Sequence, residues 1–344
     1  MKKLIDKLEK EHFLSKNEYV CLIENFENVR EYAAKKARMI CERVYGRDIY
    51  IRGLIEISSF CRNDCIYCGI RRSNKNAQRY RLSKEEILEC CDIGYNLGFR
   101  TFVLQGGEDK FYTDEIIADI VRSIKKKYVD CAVTLSLGEF PTESYALFKK
   151  AGADRYLLRH ETADKTHYEK LHPKEMSFEN RMRCLRDLKN LGYQVGCGMM
   201  IGSPYQTAES LAEDMMFIQS FKPHMIGMGP FIPQHDTPFG NEKGGSVEMT
   251  LFMISLVRLA LPNALIPATT ALGTLDPLGR EKGAEAGANV TMPNLSPVSV
   301  RKKYALYDNK ICTGEEAAEC LGCLMNRFGK VDRQIVFSRG DYKK

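Results

Sequence analysis

The sequence predicts an α/β fold, a complete (βα)8 barrel of the TIM type with an N-terminal helical extension. Three observations support it. Eight short apolar runs recur along the chain, and eight strands are the number that closes a parallel barrel. Each run ends in a polar or glycine-rich turn and gives way to helical periodicity. Strand–helix–strand alternation implies parallel pairing with right-handed crossovers. A doubly wound open sheet is the competing architecture, and eight evenly spaced units favour the barrel.

Residues 1–50 read as wholly helical and are expected to pack across the barrel's bottom. The strands follow as "GLIEIS" (53–58), "TFVLQ" (101–105), "AVTLSL" (132–137), "RYLLRH" (155–160), "VGCGMMI" (195–201), "MIGMG" (225–229), "IPATT" (266–270) and "NVTMP" (289–293). Between strands one and two, "LSKEEILECCDIGYNLG" opens with Ser83 and Glu86 in capping-box positions and stops at Gly98. "TESYALFKKAGA" and "SFENRMRCLRDLKNLGY" repeat the design, with Gly152 and Gly192 as stops. The expected division is a helical cap at 1–50, the barrel at 51–300 and a C-terminal segment at 301–344.

Composition excludes several classes. Hydrophobic residues at 44% and charged residues at 28% are ordinary for a globular protein, and the net charge of +6 is spread along the chain. The run Lys125-Lys126-Lys127 ends an amphipathic segment, so it reads as a solvated helix face rather than a nucleic-acid patch. The N-terminus lacks the apolar run of a signal peptide. The most apolar stretch, "LFMISLVRLALPNALIP", holds Arg258 and Pro262 and is not a membrane span. The expectation is a cytoplasmic protein with no nucleic-acid or membrane partner.

A reducing compartment makes metal binding a better account of 13 cysteines than disulfides. Seven (Cys21, Cys41, Cys90, Cys91, Cys131, Cys184 and Cys197) are scattered through mostly apolar patterns as small core residues. The other six form two groups. Cys61, Cys65 and Cys68, spaced C-x3-C-x2-C, follow the first strand and so sit at the barrel's C-terminal mouth, where active sites of this fold are built. A structural zinc site needs a fourth Cys or His nearby, and none stands between Cys68 and Cys90. Three thiolates suit three irons of a [4Fe–4S] cluster, leaving the fourth iron open to an amino–carboxylate chelate such as S-adenosylmethionine.

That motif, with Tyr67 immediately before its last cysteine, resembles the signature of the radical SAM enzymes. "LQGGED" (104–109) is similar to the family's GGE motif, which makes Gly106, Gly107 and Glu108 candidates for the cofactor's amino group. Glu161 could pair with the same ammonium, and Arg181 could take the carboxylate. The superfamily also implies that backbone at Met200 touches the adenine. "IEISSFCRNDCIYCGIRRSNKN", "LSLGEFP", "AGADRYLLRHETA", "GPFIPQHDTP", "IPATTALGT", "GANVTMPN" and "KICTGEEAAECLGC" together resemble the HydE family of [FeFe]-hydrogenase maturases.

The resemblance implies a barrel with a closed cavity and a small organometallic substrate, a cysteine-bound iron carrying CO and cyanide. It also implies partner maturases, HydG and HydF. Candidate substrate residues are Gln105 ending strand two, Thr134 on strand three, Arg155 and Arg159 on strand four, Thr269 and Thr270 ending strand seven, and the covering Tyr304 and Tyr307. Ser136 shares a face with Thr134 and is placed with the cofactor. A guanidinium inside a barrel needs an anion, and a cysteine carboxylate would serve; the alternative for Arg159 is an internal pair with Glu161. Cys312, Cys320 and Cys323 resemble the family's accessory Fe–S triad, expected near the surface and far from the first cluster. His160, between Arg159 and Glu161, is expected to point to the opposite face as a structural histidine; His172, His224 and His235 show no metal-ligand spacing, and "RGD" (339–341) reads as a chance tripeptide. The competing functions are another enzyme of this subgroup, biotin synthase or methylornithine synthase, and a non-catalytic Fe–S or zinc scaffold.

Overall fold

Strands rich in β-branched residues and covered on both faces read as near-continuous apolar runs, and this chain uses them to build a parallel sheet. The computed structural model describes residues 1–314 and 317–343, the side chains of 317–320 excepted. Its strands are β1 (Asp48–Ile51), β2 (Gly53–Ser58), β3 (Thr101–Gly106), β4 (Ala132–Ser136), β5 (Arg155–Leu157), β6 (Gln194–Cys197), β7 (Met200–Ile201), β8 (Met225–Ile226), β9 (Gly229–Pro230), β10 (Val290–Thr291) and β11 (Gln334–Val336). Six of them form one parallel ladder in the order β2-β3-β4-β5-β6-β8. Strands β7 and β9 pair in parallel above it, and β1 lies between β10 and β11.

The fold is therefore α/β with a parallel sheet, and the two last expected strands are the weakest. Segments 266–270 and 289–293 meet their neighbours mostly by single parallel bridges, Met225 to Leu265, Pro267 to Val290 and Leu54 to Asn294. The expected strand at 266–270 ends early because Thr269 caps a helix, Thr270–Leu275, by accepting from Leu272 N. β5 also stops at Leu157, short of the expected 160.

Helix boundaries follow the capping chemistry. Ser83 and Glu86 form the reciprocal capping box of helix Lys84–Asn96. Gly98, Gly152 and Gly192 take positive φ after their helices, as expected of such stops. The three N-terminal helices, Lys2–Glu11, Lys16–Glu24 and Arg30–Tyr45, lie against helices Ala208–Phe221 and Val247–Ala260. They pack along the flank of the fold, and Tyr45, which ends the third, reaches the Asn263 carbonyl.

The C-terminal residues seal the base. β11 pairs with β1, and the chain then crosses the strand starts. The Arg339 carbonyl accepts from Thr101 at 2.8 Å and from Arg155 at 2.6 Å. Asp341 accepts from Arg155 at 2.7 Å and from Gln194 at 3.1 Å. The "RGD" tripeptide is thus a structural lock, which no motif reading would have found. Among the described residues no helix is long and apolar enough to cross a membrane.

Candidate active site

A cavity of about 370 Å³ opens over the C-terminal ends of the strands, within the ordinary range for small-molecule sites. Cys61, Cys65 and Cys68 all line it. Their loop leaves β2 and is folded by two charged residues inside or just after it. Asp64 accepts from Arg71 Nε at 2.8 Å and from the Ser73 hydroxyl at 2.7 Å. Arg79 gathers the carbonyls of Ser59, Ile70 at 2.8 Å and Arg71 at 2.6 Å. Neither was singled out by the sequence, because an arginine that collects carbonyls has no spacing rule.

Burial pushes all three thiols up, Cys68 to about 12, and the neighbouring cysteines push Cys65 and Cys68 further. Thiols so placed favour the proton unless iron replaces it. Around them, Arg159 Nη2 and Glu161 Oε2 form an ion pair at 3.0 Å, and Arg159 Nε is buried without a hydrogen-bond partner. Among the described residues no three His, Cys, Asp or Glu side chains converge on a single-ion site. Three soft thiols around a roomy cavity, with a cation and an anion side by side on its wall, fit a multi-iron cluster and a zwitterionic ligand better than a single zinc.

The glycine loop meets the cysteine loop directly. A Cβ on Gly107 would sit 2.2 Å from the Phe60 carbonyl and 2.8 Å from Cys61 Cβ. Glu108 is held by Arg62, whose guanidinium reaches Oε2 at 2.9 Å, and by Glu139 N, which donates to Oε1 at 3.0 Å. Gly138 has φ 89°, and a Cβ there would strike the Glu108 carboxylate at 2.1–2.4 Å. Glu161 lines the cavity with φ 65°, a conformation that costs a non-glycine residue about 1–3 kcal/mol. Arg181 also lines it, buried, with Nε 2.5 Å from Glu139 and Nη1 2.5 Å from the Arg159 carbonyl.

Tyr67, Ser136 and Met200 complete this wall. Tyr67 donates to His172 Nε2 at 3.5 Å, because Nδ1–H is committed to the Tyr168 carbonyl at 3.0 Å. Burial, then the Arg181 charge, holds His172 down to about 3, so the ring beside the cavity is neutral.

On the other side Gln105, Arg159, Thr269, Thr270, Tyr304 and Tyr307 face the cavity. Two expected substrate residues do not. Arg155 is wholly buried at the start of β5, bound to the C-terminal lock, and Thr134 is buried below the cavity with Oγ1 lacking a partner. Alternation places Arg155 and Arg159 on one face of a continuous strand, but Arg155 starts β5 and Arg159 lies beyond its end at Leu157. One arginine is therefore at the base and the other at the mouth.

Comparison with known proteins follows the same lines. Residues 55–218 match the model of the Radical SAM superfamily. The [FeFe] hydrogenase maturase subunit HydE of Thermotoga maritima is 46% identical over 97% of this chain and 95% of its own length. The chain belongs to the HydE family of radical SAM enzymes. A 3-methylornithine synthase of Methanosarcina acetivorans is 30% identical over 81% of this chain and 78% of its own. The crystal structure of methylornithine synthase (PylB) superposes with a TM-score of 0.84 at 26% identity, covering 97% of both chains. Membership of the radical SAM superfamily implies a [4Fe–4S] cluster and S-adenosylmethionine.

This HydE-family cavity also holds residues that the sequence reading passed over. Glu56, inward on β2, is buried and accepts from Lys310 at 2.5 Å and from Asn294 at 2.8 Å. A glutamate inside "GLIEIS" was the available signal; Lys310, 254 residues away, gave none. Arg280 lines the cavity and donates to Cys312 Sγ at 3.3 Å. Cys312 thus lines the same cavity as the first triad. Cys323 is exposed, and the Cys320 side chain lies outside the described residues.

Proposed function

We propose that this HydE-family enzyme acts in [FeFe]-hydrogenase maturation, on a cysteine-bound Fe(CO)2(CN) precursor. The observation that carries the reading is the convergence of the thiol triad, the Gly106–Gly107–Glu108 loop and the Glu161 and Arg181 charges on one cavity. When bound, the cluster and S-adenosylmethionine supply reductive cleavage to methionine and a 5′-deoxyadenosyl radical. The chain's own residues bind and orient. Cys61, Cys65 and Cys68 hold the cluster, Glu161 and the Glu108 loop receive the amino group of S-adenosylmethionine, and Arg181 its carboxylate. Tyr67, Ser136 and Met200 close around the nucleoside.

Beside Glu161, whose carboxylate its Nη2 meets, Arg159 keeps Nε without a partner as a donor to a substrate carboxylate, with Gln105, Thr269 and Thr270 on the same cavity. Tyr304 and Tyr307 cover the space and exclude water. Arg155 and Thr134 are left out of this set. The single bridges from β8 through 265–267 and 290–294 back to β2 support a reading of the ladder as a (βα)8 barrel spanning 51–300, with helical 1–50 and a C-terminal segment at 301–344. A cytoplasmic setting and the partners HydG and HydF belong to the same reading. So does a second Fe–S cluster on Cys312, Cys320 and Cys323.

The test is EPR of the anaerobically reconstituted, reduced protein with and without S-adenosylmethionine, using Cys312→Ser/Cys320→Ser/Cys323→Ser to isolate the first cluster. A [4Fe–4S]+ signal that shifts with the cofactor, with 5′-deoxyadenosine formed, is the expected result. A cluster indifferent to the cofactor in folded protein would return the scaffold reading to first place.

A further inference from the structure

Glu161 holds its left-handed backbone without a glycine's freedom, so something outside it must fix the turn. The groups that do so are buried away from the cavity. Asp214, in helix Ala208–Phe221, is wholly buried, and its Oδ1 accepts from Ala163 N at 2.6 Å. The same oxygen lies 3.1 Å from Nε2 of His160. The other ring nitrogen, Nδ1, is 3.2 Å from the backbone N–H of Gly198. A backbone N–H can only donate, so Nδ1 is the acceptor and the ring proton sits on Nε2, directed at Asp214.

Gly198 then returns a bond to the turn, its carbonyl accepting from Glu161 N at 2.9 Å. Residues on both sides of Glu161 are thereby tied to one buried carboxylate, and Glu161 itself to the glycine that His160 holds. Gly198 has no slack, because a Cβ there would lie 1.8 Å from the Gly227 carbonyl.

We propose that the buried His160–Asp214 pair is a positioning device for the cofactor site, fixing the turn at residue 161 so that the Glu161 carboxylate faces the amino group of S-adenosylmethionine. The proposal rests on the reading of Glu161 as that group's partner. A histidine and an aspartate that only filled the core would contribute to stability but would not be coupled to Glu161 in ligand binding.

The experiment is equilibrium dialysis of S-adenosylmethionine against the anaerobically reconstituted full chain, with circular dichroism and iron content measured on the same samples. Asp214→Leu removes both acceptors at similar volume, and Asp214→Asn keeps an acceptor at Oδ1. His160→Phe keeps a ring against Phe217, now 4.9 Å from the imidazole, and stands in if Asp214→Leu does not fold. We expect Asp214→Leu and His160→Phe to weaken binding by about tenfold or more and Asp214→Asn by about twofold or less. Glu161→Gln should itself weaken binding, and adding His160→Phe to it should cause no further loss.

Native affinity in His160→Phe and Asp214→Leu, alongside a weakened Glu161→Gln, overturns the positioning role alone. Losses that multiply in the double variant also overturn it, because the pair then acts by another route. Native affinity in Glu161→Gln sinks the reading of Glu161, and the positioning role with it.

Discussion

Gly107 has no space for a side chain, because the Phe60 carbonyl and the Cβ of the first cysteine occupy it. We expect Gly107→Ala to cost about 1–3 kcal/mol in a denaturant melt and to lose most of its cluster iron on reconstitution, measured as iron per chain. Lys310→Ala leaves the Glu56 carboxylate buried without its cation and should cost about 3 kcal/mol or more. Adding Glu56→Gln should restore much of that loss, a comparison read from the same melts. At this scale the sequence speaks through spacing that covalent geometry preserves. Three cysteines within eight positions and two glycines ending a strand survive as a pattern because the backbone itself carries them. The Glu56–Lys310 pair does not, since its partners meet only after the whole chain has folded.

Elements were legible where local chemistry decides them. The capping box at Ser83 and Glu86 needs nothing beyond its own turn, and it forms as written. The strand expected at 266–270 ends early for an equally local reason, in that Thr269 caps a helix rather than extending a ladder. Arg155 shows a limit of such reading: alternation gave it a face and no depth.

The C-terminal lock gives a pH prediction. Burial pushes the Asp341 carboxyl up, but the hydrogen bond of Arg339 and the charge and hydrogen bond of Arg155 more than reverse this and hold it well below its ordinary 3.8. A depressed folded value means that the unfolded chain takes up the proton first as pH falls. The stabilisation is therefore present above about pH 4 and is lost progressively below it. We expect Asp341→Asn to be about 1 kcal/mol less stable than the parent at pH 7, a modest figure because the carboxylate is partly exposed. The gap should narrow in urea melts as pH is lowered below 4.

Across the whole molecule, one cavity collects residues from β2 to the segment beyond β10, and Cys312 belongs to its lining. If the accessory triad binds iron, Cys312→Ser/Cys323→Ser should lower iron content to that of a single cluster while leaving the first cluster's EPR response to S-adenosylmethionine unchanged. Loss of that response would tie the second site to the first through Arg280 and the shared wall. The parallel alternation that builds this architecture was visible from the start. The part its C-terminal end plays at the base was not, and helical periodicity in 1–50 says that helices form, but not which surface they cover.

The lock at the base also has a consequence for how the protein is made. Residues 334–343 leave the ribosome after every strand of the ladder, yet Arg155 finds its carboxylate, and Thr101 and Gln194 further acceptors, in them. A nascent chain halted before Arg339 would hold a desolvated arginine in an unfinished core, with no anion to meet it. Completion of the fold thus waits for residues 334–343, and iron delivered earlier would meet a mouth whose floor is still open.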